Sequence, residues 1–262
     1  MRLKNKVAVI TGAGSGVGKA IAELFAAEGS RVVCADISGN EEAVAAAIGT
    51  SAVPVNTDVA NEDDIQRMIA AAEEKFGRLD ILVNNAGFGG GMAPLHEQTA
   101  AHWDRVHSVN IRAVFLGMKY GITSMLRTGG GAIVNVSSSS GFVGRKAHSV
   151  YGAAKAGVNQ LTKAAALDYA KRNIRVNAVV PSSVWTGLVP MSKLHPTPPP
   201  GVGRPAGIPM DRWGLPKEIA AGALFLASDE ASFITGVLLP IDGGYCIGFS
   251  GMGAEHTGAP DA

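Results

Sequence analysis

Cysteine is scarce in this sequence: Cys34 and Cys246 are the two among 262 residues, and no Cys-x-x-Cys pair occurs. That pattern excludes a disulfide framework and the common thiolate metal sites. Long apolar runs are also missing. No stretch approaches the ~18 apolar residues of a membrane span, and the basic start from Met1 to Lys6 precedes only the short run Val7-Ala8-Val9-Ile10. Neither a span nor a secretory signal is expected, so the expected location is cytoplasmic. Charge of one sign is absent in excess as well: 23 Lys and Arg face 22 Asp and Glu, a net of +1. Such a balance gives no reason to expect nucleic acid or an anionic membrane as partner. The six histidines (His96, His102, His107, His148, His195, His256) show no ligand spacing, and no metal is expected.

What the chain does have is apolar content, at 47% of residues with 17% charged, enough for a sizeable core. Short β-branched runs alternate with longer helical patterns. Strands are expected at Val7–Thr11, Arg31–Ala35, Ala52–Asn56, Ile81–Asn84, Ala132–Ser137, Ile174–Val180 and Val237–Ile241. Most lack polar alternation, as parallel strands covered on both faces should. Helices are expected at Gly16–Glu28, Glu41–Ile48, Asn61–Phe76, Thr99–Arg127, Ser149–Arg172 and Pro216–Ala227, the fourth weakened by Gly117 and Gly121. Alternation of this kind predicts an α/β fold, a single doubly wound domain over residues 1–262 with a seven-stranded parallel sheet. No repeat or linker divides it. The one compositional break is Pro181–Pro216, which holds most of the 13 prolines. Ligands bind beyond the carboxyl ends of parallel strands, so this excursion is expected to be a functional lid, about 182–215.

The first strand runs into Thr11-Gly12-Ala13-Gly14-Ser15-Gly16-Val17-Gly18 and then into a helix. Glycine there permits a tight turn and close approach of the backbone to a pyrophosphate, which the helix N-terminus would face. At the first strand–helix junction of an alternating chain, this predicts a dinucleotide site. Asp36 ends the second strand, 18 residues after Gly18, where a carboxylate accepts hydrogen bonds from ribose hydroxyls and repels the extra phosphate of NADP. The two neighbours that could reverse this, Ser15 and Ile37, are not basic. NAD is therefore the expected cofactor.

Tyr151 is the one tyrosine of four with a lysine four residues on, Lys155. On a helix the two share a face. A phenol titrates near pH ~10, and a nearby cation favours the phenolate that base catalysis needs. Taken alone, Tyr-x-x-x-Lys is better read as an ordinary surface pair. The combination says more. The glycine turn, Asn84-Asn85-Ala86-Gly87 after the fourth strand, Ser138 after the fifth and Tyr151-Gly152-Ala153-Ala154-Lys155 resemble the short-chain dehydrogenase/reductase family. Asn177-Ala178-Val179-Val180-Pro181, Arg212-Trp213-Gly214-Leu215-Pro216, Ile234-Thr235-Gly236 and Asp242-Gly243-Gly244 extend the likeness over about residues 5–246.

The resemblance implies roles. Tyr151 would exchange a proton with the substrate oxygen, Lys155 would lower the tyrosine pKa and hold the nicotinamide ribose, and Ser138 would hydrogen-bond the substrate oxygen. Ser137, Ser139 and Ser140 compete for that last role, and spacing to Tyr151 favours Ser138. Asn110 would steady a water in the proton path. Gly12, Ser15, Gly16, Val17, Gly18, Asp36, Ile37, Asp58, Val59, Asn85, Ala86, Gly87, Pro181, Val184 and Thr186 would line the cofactor with Tyr151 and Lys155. One departure stands out: Ser182 follows Pro181 where the family usually has glycine.

Trp185 and Leu188, with Val189, Met191 and Leu194, would form an apolar lid, and His148 would touch substrate. Together they imply a hydrophobic or cyclic secondary alcohol or ketone. Lys193 and Arg204 are the charges available in that segment. Two alternatives stay open: a net non-redox reaction on the same fold and cofactor (epimerase, dehydratase or dehalogenase), and a non-catalytic NAD-binding scaffold, against which the intact Ser138, Tyr151 and Lys155 argue. The resemblance also implies a homotetramer, with the fourth and fifth helices in four-helix interfaces and the tail, about 248–262, disordered or reaching a neighbouring subunit.

Overall fold

The computed structural model describes residues 1–186, 195, 197–203 and 205–248. Seven strands, β1 (Val7–Thr11), β2 (Arg31–Asp36), β3 (Ala52–Asn56), β4 (Ile81–Asn84), β5 (Gly131–Val136), β6 (Ile174–Pro181) and β7 (Leu238–Ile241), form one sheet in the order β3-β2-β1-β4-β5-β6-β7. All six pairings are parallel. Helices α1 (Gly16–Ala27), α2 (Asn40–Ile48), α3 (Glu62–Phe76), α4 (Ala100–His107), α5 (Ala113–Thr128), α6 (Ser149–Tyr169) and α7 (Pro216–Ala227) cover both faces.

Period-two geometry explains the two cores. Along β1, Ala8 and Ile10 join Ile21 and Phe25 of α1 and Ile219 and Leu224 of α7 on one face. Val7 and Val9 join Ile65 and Met68 of α3, Leu116 and Met125 of α5, and Val158 of α6 on the other. Each fully buried aliphatic side chain contributes about 1.5–3 kcal/mol, which is why the central strands read as unbroken apolar runs. The edge strand β3 is only partly covered, and the edge is where Pro54 is tolerated. Strand order reverses between β1 and β4, opening a crevice at their carboxyl ends.

Helix ends follow local chemistry. Asn61 caps α3 by accepting from the Asp63 N–H, Glu62, Asp63 and Asp64 complement its positive end, and Gly77 closes it at φ 84°. Several boundaries differ from expectation by a residue: β2 extends to Asp36, β5 runs from Gly131 to Val136, β6 ends at Pro181, and β7 begins at Leu238. The long helix expected at Thr99–Arg127 is helical from Ala100 to Thr128, but its irregularity falls elsewhere than at the glycines. Ser108–Arg112 form a π turn, whereas Gly117 and Gly121 sit inside regular helix beneath Asn84 and Leu82 of β4. Their missing side chains let α5 lie close on the sheet. α6 ends at Tyr169 and passes through a 3₁₀ turn, Ala170–Arg172.

The two ends of the proline-rich excursion are tied together. Trp185 N–H donates to Gly214 O at 2.8 Å and Gly214 N–H to Ser183 O at 3.0 Å, with a parallel bridge between Val184 and Gly214. Leu188, Val189, Met191, Lys193, Leu194 and Arg204, and the tail beyond Gly248, lie outside the described residues. Among the described residues no helix is long and apolar enough to cross a membrane, and no cluster of His, Cys, Asp or Glu is arranged for a metal.

Candidate active site

The crevice is built first from glycine. Gly12 and Gly16 have φ of 69° and 54°, a region that side chains disfavour. A Cβ at Gly12 would stand 2.7 Å from Asn85 Nδ2, and one at Gly18 would overlap the Gly12 carbonyl. The turn is thus drawn tight between β1, the loop after β4 and α1. Ser15 occupies the N-cap of α1 without a side-chain capping bond, and the first turn holds no acidic residue. α3, capped by Asn61 and led by three acids, shows the contrast. The start of α1 suits an external anion.

Asp36 braces this turn: Oδ2 accepts from Gly14 N–H at 2.8 Å and Oδ1 from Ser38 N–H at 2.9 Å. Ile37 beside it is an exposed apolar side chain. Across β3, Asp58 Oδ1 accepts from Ala60 N–H at 2.9 Å and Val59 is buried, which fixes the neighbouring rim. At the end of β1, Thr11 Oγ1 accepts the N–H groups of Asn85 (2.9 Å) and Ala86 (3.0 Å), and Asn85 Nδ2 returns a bond to Thr11 O at 2.8 Å. Thr11 was not among the expected site residues. Its signal is a hydroxyl at the strand–turn junction, legible only once β4 is known to lie beside β1.

The groups expected to react come from the end of β5, α6 and the π turn. Extra width in that turn carries Asn110 inward, where Nδ2 donates to Phe88 O and Val106 O, both at 3.1 Å. Its Oδ1 is buried and has no hydrogen-bond partner among the described residues. Gly87 leaves room here: a Cβ on it would lie 2.8 Å from Asn110 Oδ1 and 3.6 Å from Lys155 Nζ. Lys155 is fully enclosed, donates from Nζ to Val136 O at 2.9 Å, and lies 5.7 Å from the centre of the Tyr151 ring. Burial pushes its ammonium down to about 8. Burial also holds the Tyr151 phenol above its ordinary value, against a hydrogen bond from Ser138 and the positive charge of Arg145, which both lower it. Arg145 is a second contributor that spacing did not reveal.

Two of the four serines separate cleanly. Ser137 Oγ donates to Asn159 Oδ1 at 2.6 Å and is spent on packing α6 against β5. Ser138 Oγ accepts from Ser140 N–H at 3.2 Å, and its hydroxyl lies close enough to Tyr151 to act on the phenol, as expected of the residue chosen by spacing. Thr186 lies over the glycine turn, its Cβ 3.5 Å from where a Gly16 side chain would begin. Val184 packs on the α1 core behind Pro181. Ser182 donates to Asp242 O at 2.8 Å, and Asp242 in turn accepts from Gly244 N–H and Cys246 N–H. The departure from glycine is therefore used to tie β6 to the C-terminal segment. Trp185 differs from expectation. It is 2% exposed, its indole N–H donates to His195 O at 2.9 Å, and its ring meets the edge of Trp213 at 5.4 Å. An indole this enclosed anchors the excursion.

This geometry can be set beside known proteins. The family described as "Enoyl-(Acyl carrier protein) reductase" matches residues 12–246. A cis-4-hydroxycyclohexanecarboxylate dehydrogenase of Sinomonas cyclohexanicum is 43% identical, over 92% of this chain and 96% of its own. The chain belongs to the short-chain dehydrogenase/reductase family. Among solved members, a levodione reductase superposes with a TM-score of 0.87 at 38% identity, covering 95% of this chain and 100% of that one. A 3-ketoacyl-(acyl-carrier-protein) reductase from Brucella melitensis, complexed with NADH, gives 0.85 at 38% identity, covering 93% and 99%. As a short-chain dehydrogenase/reductase the chain is an oxidoreductase acting between a secondary alcohol and its ketone with a nicotinamide cofactor.

Proposed function

We propose that this enzyme is NAD-dependent, that Tyr151 is its general acid and base, and that its substrate is a hydrophobic or cyclic secondary alcohol or ketone. The observation that carries the reading is the convergence of Ser138, Tyr151 and Lys155 beside the glycine turn. The cradle fits a dinucleotide: its side-chain-free turn and the uncapped start of α1 suit a pyrophosphate, and Asp36 suits ribose hydroxyls. Gly12, Ser15, Gly16, Val17 and Gly18 would hold the phosphates. Asp36 and Ile37 would hold the adenosine with Asp58 and Val59, and Asn85, Ala86, Gly87, Pro181, Val184, Thr186 and Lys155 the nicotinamide half. Bound there, the nicotinamide supplies or accepts the hydride.

The chain's own residues manage the oxygen. Ser138 orients it by a hydrogen bond, and Tyr151 gives up its phenolic proton to a forming alkoxide or takes one from an alcohol. Lys155 keeps a positive charge below pH of about 8, close enough to favour the phenolate as the proton leaves. Asn110 holds the widened helix beside Lys155, and its unpartnered Oδ1 is suited to a water linking the two. The relative that acts on a hydroxycyclohexanecarboxylate and the levodione reductase support a ring substrate. Two unpaired cysteines, Cys34 and Cys246, support a reducing, cytoplasmic setting. Exposed Trp103 and Phe115 on α4 and α5 support assembly into a tetramer.

The test is turnover of cyclic and aryl secondary alcohols and ketones followed by NADH absorbance, with NADPH as the competing cofactor. A higher specificity constant with NADPH would overturn the cofactor assignment. NADH recycled without net consumption would favour an epimerase-type reaction instead.

A further inference from the structure

Resting on the reading of Tyr151 as the reacting group, we infer that His148 presents a fixed Nε2–H donor to a second oxygen of the substrate, an acceptor on the ring away from the carbon that is oxidised or reduced. His148 stands one helical turn before Tyr151 at the N-cap of α6, with ring centres 5.3 Å apart. Its backbone is held by design: Ala147 before it sits at φ 61°, a conformation alanine disfavours, pinned where Ala147 O accepts from Ala93 N–H at 3.1 Å. His148 O then accepts from Gly152 N–H at 2.8 Å as α6 begins.

The imidazole is half-buried, and the two nitrogens differ. Nδ1 is buried with no hydrogen-bond partner among the described residues. An enclosed N–H without an acceptor is rarer and costlier than an enclosed lone pair, so the ring proton belongs on Nε2. Burial and the charge of Arg145 both hold the ring below its ordinary value, which keeps it neutral at pH 7. A neutral ring with its proton on the open side is a donor only. It complements a ketone, ether or carboxylate oxygen, and it leaves the reacting oxygen to Ser138 and Tyr151.

Two measurements test this. Nitrogen-15 NMR of the full-length protein at pH 7 should show His148 as the Nε2–H tautomer; an Nδ1–H tautomer or an imidazolium overturns the assignment whatever the enzyme reduces. Reduction of cyclohexane-1,4-dione is then compared with that of cyclohexanone. In His148→Phe the ratio of the two kcat/KM values should fall about tenfold, the worth of one neutral hydrogen bond, and His148→Gln, whose amide reaches the Nε2 position, should recover most of it. An unchanged ratio in His148→Phe overturns the contact. If the wild type reduces neither ketone nor any other secondary carbonyl with either cofactor, the parent reading fails and the contact with it, an outcome the NMR result keeps distinct.

Discussion

Burial acts on Tyr151 and Lys155 in opposite directions on the pH scale but toward the same end, the neutral form of each. For the phenol this has a sign that kinetics can read. Reduction needs the protonated phenol and should be flat through neutral pH, falling only in alkali. Oxidation needs the phenolate and should rise with pH, and the pH–kcat/KM profiles of the two directions check this. Tyr151→Phe removes the proposed proton carrier and should lower kcat by about 10²–10⁴ while NADH binding, read by fluorescence, persists. For Lys155 the folded value of about 8 lies below the ordinary 10.5, so the unfolded chain holds this proton more tightly. Stability is therefore lowered in full below pH 8 and recovers as pH rises toward 10.5. The displacement corresponds to roughly 3 kcal/mol, offset by about 1 kcal/mol for the bond to Val136 O. Lys155→Met should be inactive yet melt several degrees higher at pH 7, with the gain shrinking toward pH 10. A lower melting point at pH 7 would show that the buried ammonium is better solvated than its surroundings indicate. Asp36 gives a further test at this scale: Asp36→Asn should reduce the NADH over NADPH preference at least about tenfold, because the amide no longer repels a phosphate.

At the scale of elements, the alternation of strands and helices was legible because the central strands are covered on both faces and so read as apolar runs. Junction residues were harder. Spacing to Tyr151 favoured Ser138 over its neighbours, but the use of Ser137 to bond Asn159 became visible only with the pairing of β5 and α6. Trp185 looked like a lid residue by composition, but composition carries no direction, and its indole turned inward to His195. The π turn at Ser108–Arg112 left no local trace, since it places Asn110 against the Phe88 carbonyl, a partner distant in sequence. Gly117 and Gly121 read as flaws in a helix and prove to be contacts with β4. Asn84, beneath Gly117, donates to Asn135 Oδ1, and Asn135 donates to Thr162 Oγ1, a buried polar chain from β4 across β5 to α6. A methyl at Gly117 would collide with Asn84 Oδ1 and break this chain, whereas one at Gly121 meets only the movable end of Leu82. Gly117→Ala should cost about 2–3 kcal/mol in denaturant unfolding, outweighing its helix-propensity gain of about 1 kcal/mol, and Gly121→Ala should cost less. Equal costs would mean that the polar chain contributes nothing.

For the whole molecule, the outer face of α4, α5 and α6 leaves several large apolar side chains exposed. Phe115 is 49% exposed, Trp103 43% and Leu167 83%, and Phe115 borders a shallow hollow of about 440 Å³ with Ile111 and Leu161. Side chains this large leave monomer surfaces when a matching surface exists, and a self-complementary face provides one through two-fold symmetry. The same helices carry Asn110, Tyr151 and Lys155 on their inner side, so pairing this face with its copy would stiffen the scaffold that fixes the reacting groups. Phe115→Lys places a charge on this face. It should shift the proposed tetramer toward dimer or monomer in light scattering, with kcat reduced while the cofactor affinity of the outlying glycine turn changes little. A wild type that scatters as a monomer would refute the assembly outright. A variant that remains tetrameric would move the interface elsewhere on the surface.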